Sequence, residues 1–368
     1  VGLNIRSKKL ACIVALQCGF AASGAHAEQA YVNVYNWGNS IAHDTNANFE
    51  KLTGIKVRYS EFDSNDTLQA KLLTGSSGYD VVVPSDVYFG RQLQAGIFRR
   101  LDKSKIPNLS KLDPNLMRIL AGADPGNQYG IPMNWGTDGI GINVKKVRSV
   151  LGKDMPVNTW EMLYNPKYMS LLSKCGVSVL DSPVDIFGMG LYYLKKNPLS
   201  TNATDYQEVY KLLKTIRPYI GQFNSGSYPN DLAGGDICMA FGYSGDVNTA
   251  RMAAKAAKNG IDIQYIVPKE GTVIWFDVMA VPKSSPNPDA AMRWINHVIS
   301  EKEAAALTNE TFYPTAVTGS KKLVAEDVLS DPAVYPSAEM FKHMFTVRPL
   351  PPDIMRLETR LWQELKTH

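Results

Sequence analysis

Acidic, hydroxyl and aromatic residues stand where apolar, strand-like segments end. They are Trp37, Ser85, Asp185, Tyr243 with Asp246, Trp275 with Asp277, and Tyr313 in Phe312-Tyr313-Pro314. Carboxylates accept N–H bonds from an organic ammonium, and the charge strengthens each bond. Aromatic faces hold the charge and its methylene stem, with cation–π contacts of about 0.5–2 kcal/mol each. The set suits a box for a small cation better than a catalytic site. Asp277 is the most pointed case. It lies between Phe276 and Val278 in an apolar run, with no Lys or Arg within five residues. An unpaired carboxylate there is costly and wants a cation.

The other residues also admit plain structural roles. Asp185 follows Ser182 by three positions and can complete a helix N-terminal box, and Asp246 can cap the helix after it. Trp37, Tyr243 and Trp275 fit a core, and Ser85 after Pro84 fits a turn.

Alternating elements must position these side chains. Strands are expected at 31–35, 55–59 and 81–83, the last a continuous valine run suited to a buried parallel strand. Ile41, Thr45, Phe49 and Leu52 share one helical face, predicting a helix over 41–52 that Gly54 stops. Ser64 or Asn65 caps another, running to Thr74. The run Tyr35-Asn36-Trp37-Gly38-Asn39 thus sits at a strand's carboxyl end, where open α/β sheets hold ligands. A second region repeats the pattern. Asn158-Thr159-Trp160-Glu161 reads as a capping box, and a strand over 176–180 leads to Pro183 at a first helical position. A strand over 237–241 precedes an Ala-rich helix reaching about Lys258, and 273–281 is one long strand or a strand pair. The class is α/β, with parallel sheets and helices on both faces. The segments 129–143 and 269–282 read as two crossings between lobes, which makes the first lobe discontinuous and implies a hinge. The expected division is 28–133 with 277–325 for one lobe, and 134–276 with 326–368 for the other.

Residues 1–27 read as an export signal: Arg6, Lys8 and Lys9, a short apolar stretch, then Ala25-His26-Ala27 for cleavage after Ala27. Leu16-Gln17 before Cys18 is a poor lipidation motif. No later stretch is long enough for a membrane helix, so an exported, soluble, periplasmic product is expected. The whole chain has 39 basic and 35 acidic residues, and the signal removes three basic ones. The near-neutral remainder argues against nucleic acid and polyanionic surfaces as partners. Its length exceeds the usual single core, which favours two lobes. Cys175 and Cys238 remain as an even pair in an oxidising compartment, most simply one disulfide; a free thiol or metal pair is the alternative, but neither has a nearby His. His43, His297, His343 and His368 show no metal spacing and read as surface residues. Tyr192-Tyr193, a pairing used by ferric-ion binders, falls in a helical run and reads as core or surface. No nucleophile elbow, zinc-protease motif or phosphate-binding loop occurs, and no cofactor or metal is expected.

The chain closely resembles the periplasmic polyamine-binding proteins of bacterial ABC importers, especially the putrescine-binding branch. The likeness spans the expected mature chain. It rests on Val34-Tyr35-Asn36-Trp37, Phe62-Asp63-Ser64-Asn65, Tyr79-Asp80-Val81-Val82-Val83-Pro84-Ser85, Gly235-Asp236-Ile237-Cys238, Gly245-Asp246-Val247 and Phe276-Asp277-Val278, among others. The resemblance implies a two-lobed type II periplasmic binding protein with a hinge and a ligand cleft. It implies ligand contacts for Trp37, Ser85, Asp185, Tyr243, Trp275 and Tyr313, with Asp246 and Asp277 holding one amine. It also implies the Cys175–Cys238 disulfide. Asp185 stands where Glu is usual, Tyr243 where Trp is usual and Trp275 where Phe is usual. The clear departure is Gly38-Asn39-Ser40, where the family carries a hydroxyl, an acid and a phenol. Asn39 leaves that anchor neutral, and Asp86 beside Ser85 can restore the charge or be a solvated helix start.

The expected function is capture of a polyamine, putrescine or spermidine, and its delivery by hinge closure to an inner-membrane ABC permease. The receptor is expected to act as a monomer. A related ligand is the alternative: a monoamine, 4-aminobutyrate or a guanidino compound. A sensor role is compatible with the same site. An exported hydrolase pairing Asp246 with Asp277 is the reading from another class.

Overall fold

The computed structural model describes residues 1–2, 29–38 and 40–367. The export-signal reading, Asn39 and His368 lie outside the described residues. Among the described residues ten strands form the framework: β1 (Tyr31–Trp37), β2 (Lys56–Phe62), β3 (Val81–Val82), β4 (Gly130–Asn143), β5 (Val177–Val179), β6 (Gln222–Phe223), β7 (Met239–Tyr243), β8 (Ile263–Ile266), β9 (Thr272–Ala280) and β10 (Met344–Phe345). The main order is β2-β1-β3-β9-β4-β7-β5-β6. β1 runs parallel to β2 and β3, and β5 parallel to β6 and β7, as βαβ connections require. β4 and β9 are antiparallel to each other, β9 to β3, and β4 to β7 and β8, while β10 runs parallel to β9.

Two cores flank this β4–β9 pair. One gathers Val34, Phe49, Leu68, Val82, Phe276 and Trp294. The other gathers Trp160, Phe187, Val209, Leu232, Phe241 and Trp362. β4 serves both in turn. Gly130 to Thr137 pair with β9, and from Asp138 onward β4 pairs with β7. Asp138 is therefore the residue at which the chain passes from one ladder to the other.

Several local expectations shift. The first helix starts at Thr45, not residue 41, because the approach is pinned from outside. The His43 N–H donates to Glu310 and the Thr45 hydroxyl to Glu303. Asn158 caps nothing; the Thr159 hydroxyl accepts from Glu161 N and donates to Glu270, and the helix behind it is the single turn Glu161–Tyr164. The strand or strand pair expected over 273–281 is a single strand, Thr272–Ala280. His297 is buried rather than exposed, with Nε2 3.1 Å from the Thr45 carbonyl. Tyr193 donates to Glu161 and Tyr192 to the Glu270 carbonyl, so both are structural.

Cys175 and Cys238 are bridged, with a Cα–Cα distance of 5.5 Å and a sequence separation of 63. Closing such a loop stabilises by about 4 kcal/mol in the chain-entropy treatment. Alkylation of the native protein without reductant, read by mass spectrometry, should leave both cysteines unmodified. Two alkylated thiols would contradict the bridge.

Candidate functional site

Three helices begin where strands or strand-like segments end, and each places an acid in its first turn. Ser85 precedes the Asp86–Gln94 helix, Ser182 the Pro183–Tyr193 helix, and Tyr243 the Ser244–Ala257 helix. Asp86, Asp185 and Asp246 are those acids. The positive end of a helix favours a carboxylate there. The Asp86 carboxylate accepts from Val87 N at 3.0 Å. Asp185 accepts from the Tyr243 hydroxyl at 3.0 Å. Asp246 accepts from Tyr228 at 3.0 Å and Tyr313 at 2.7 Å. Ser85 is held by Asn65, whose side chain accepts from Ser85 N and donates to its hydroxyl.

β9 supplies Trp275 and Asp277, two apart and therefore on one face. The Trp275 ring meets Tyr243 at 5.5 Å and Tyr313 at 5.3 Å, both edge-on. Two glycines permit this packing. A Cβ on Gly136 would fall 2.3 Å from Trp275, and one on Gly245 2.5 Å from Tyr313. Trp37 ends β1 and packs on Phe62 at 4.6 Å. All the expected site residues that are described thus converge on one region, Ser85 pairing directly with Asp277.

Sequence reasoning missed Asp138. It is fully buried on β4, opposite Tyr243 in register, and neither carboxylate oxygen has a hydrogen-bond partner. The rule that singled out Asp277, an acid inside an apolar strand, applies to it equally. Tyr228 was missed as well; it arrives from a short helix with no spacing signal.

Burial dominates the electrostatics. It pushes Asp277 up to about 7, with Asp246 adding to the rise, while Asn134 and the Trp37 indole pull it partly back. Neither Trp37 Nε1 nor the Asn134 amide closes a well-formed hydrogen bond. Burial raises Asp86 well above the carboxylate range, and Asp277 and Asp185 raise it further. Asp138 is driven well up by burial and then by Asp185, with the Trp275 indole pulling it partly back and Asp86 adding to the rise. Asp185 and Asp246 are raised by burial, partly offset by their hydroxyl donors. Among the described residues, no Lys, Arg or His forms an ion pair with any of these five acids. Nor does any group of three or more His, Cys, Asp or Glu among those residues stand as a metal-holding cluster. The acids string out: Asp246 acts on Asp277, Asp277 on Asp86, and Asp185 on both Asp86 and Asp138. That spread, walled by aromatic rings, matches an extended cation with charge at more than one point.

Known proteins share this architecture. The sequence profile of the bacterial extracellular solute-binding proteins matches residues 45–336. The putrescine-binding periplasmic protein PotF of Escherichia coli is 45% identical over 342 residues, 93% of this chain and 92% of its own. The putrescine-binding periplasmic protein SpuD of Pseudomonas aeruginosa is 42% identical over 93% of both chains. The crystal structure of the spermidine/putrescine ABC transporter substrate-binding protein PotD from Streptococcus pneumoniae superposes with a TM-score of 0.79, at 25% identity, covering 92% of this chain and 99% of that one. The fold is the two-lobed α/β arrangement of type II periplasmic binding proteins. The chain belongs to the bacterial extracellular solute-binding proteins.

Proposed function

We propose that this protein is the periplasmic solute-binding component of an ABC importer and that its ligand is a polyamine, putrescine or spermidine. One observation carries the reading: five acids, Asp86, Asp138, Asp185 and Asp277 buried and Asp246 half-buried, stand against four aromatic side chains with no Lys, Arg or His paired to them among the described residues. Asp246 and Asp277 hold one ammonium. Trp37, Tyr243, Trp275 and Tyr313 flank the methylene chain. Asp86 and Asp185 serve the other end, and Asn39 is expected to contact the ligand there as well. The bodies 28–133 with 277–325 and 134–276 with 326–368 close on the ligand, because contacts to both favour the closed form. No bond is made or broken. The signal is removed after Ala27, and the monomer delivers its ligand to an inner-membrane permease.

A thermal-shift screen of the purified protein tests this. Putrescine or spermidine at 100 times its dissociation constant should add roughly 2.7 kcal/mol of stability. 4-Aminobutyrate should add much less, since its carboxylate would enter a site already crowded with acids. A shift with 4-aminobutyrate and none with either polyamine would sink the polyamine assignment.

A further inference from the structure

Four of the five acids have local compensation. Asp86, Asp185 and Asp246 lie in the first turns of helices, and Asp277 has Asn134 and Trp37 beside it. Asp138 has neither. It sits within a strand, fully buried, with both oxygens unpartnered. Its backbone is fixed, since the Thr272 hydroxyl donates to the Asp138 carbonyl at 2.7 Å. Its side chain faces Asp185 and Asp86, with the Trp275 indole beside it. The hydroxyl-bearing rings Tyr164, Tyr243 and Tyr265 also feel its charge. Among the described residues no Lys or Arg answers it. A buried acid of this kind contributes nothing to the ligand-free fold that a neutral isostere would not. Its position explains its presence. Asp138 and Asp185 bracket Tyr243, one through strand register and the other through its hydroxyl. Asp246 and Asp277 mark the other end of the acid string, beyond the Trp275 ring.

We propose that Asp138 directly holds the second cationic head of the ligand, and so sets a preference for dications over monoamines. The inference rests on the polyamine reading above and adds a ligand-contacting residue to it. Asp138 and Asp185 together present a doubly acidic socket where β4 changes ladder. An ammonium entering it meets two acceptors, whereas a methyl group there leaves both buried carboxylates unanswered.

Calorimetric titration with putrescine and with 1-aminobutane, which has the same carbon chain and one amine, is the test. Asp138→Asn should lower putrescine affinity by about ten- to a hundredfold, as loss of a charge-assisted bond implies. Its affinity for 1-aminobutane should change by less than about threefold, because that ligand brings no charge to Asp138. The melting temperature of the ligand-free variant should equal or exceed that of the wild type. Asp138→Thr should behave alike. Equal losses for both ligands would overturn the proposal, as would unchanged putrescine affinity. Failure of both variants to fold would also overturn it, since the carboxylate would then be a structural group. Wild-type protein that binds neither putrescine nor spermidine would instead remove the polyamine reading beneath it.

Discussion

Asp277→Asn is expected to lose at least about tenfold in putrescine affinity while the protein stays folded. Asn keeps the size and shape of the side chain and can still meet Asn134 and Trp37, so packing on β9 is preserved. What disappears is the charge that answers an ammonium. The ligand-free variant should also be more stable than the wild type near pH 8. There the wild type must hold an ionised Asp277 that is only 8% exposed and lies among other acids. Raising that group from an ordinary value of about 3.9 to about 7 corresponds to an order-of-magnitude penalty of ~4 kcal/mol once it is ionised. Weaker binding joined to a higher melting temperature is the signature of a residue kept for its ligand. Isothermal calorimetry with unchanged affinity would remove Asp277 from the site.

The fold was legible because its segments carry their own period. The valine run before Ser85, the Thr45 and Phe49 face of the helix that Gly54 stops and Pro183 at a helix start each report a local choice, whereas Ile41 lies before that helix and Leu52 is exposed. The site was legible where a residue broke the pattern of its own segment, as Asp277 does. Asp138 breaks its segment in the same way, but the Gly-rich stretch around it reads as a connection rather than a strand. Only the pairing of Asp138 with Tyr243 shows that it faces the other acids. The aromatic box was half legible. Its rings are evident in the sequence, yet Gly136 and Gly245, which let Trp275 and Tyr313 approach, act across long sequence separations. His297 and Glu303 were opaque for the same reason; both are buried by the distant turn at Thr45. Asp86 was visible as a charge beside Ser85, but its burial was not, because Ser85 meets Asp277 across a separation that no local pattern reports.

The acids also predict how binding responds to pH. Ligand-free, Asp277 titrates at about 7, and burial raises Asp86, Asp138, Asp185 and Asp246 in the same direction. A bound dication favours their ionised forms, so binding below pH 7 must release protons. Putrescine affinity should therefore fall as the solution is acidified, and be at least about tenfold weaker at pH 5.5 than at pH 8. The ligand-free stability runs the other way. A carboxyl whose folded value lies above its unfolded one favours the fold fully below about pH 4. That contribution is lost as pH rises towards the folded value of about 7. Half-buried acids held low by lysines, such as Glu50 and Asp205, oppose this trend, so the raw melting curve mixes both. Subtracting the Asp277→Asn curve from the wild-type curve isolates the group. The difference should be small near pH 4 and grow in the variant's favour up to about pH 7, then level off. In the same variant the pH dependence of putrescine binding should flatten by about one proton between pH 5.5 and 7.5. A wild-type affinity that holds steady from pH 8 to 5.5 would show that the ligand does not ionise these carboxylates. The buried acids would then have to be explained as something other than its anchors.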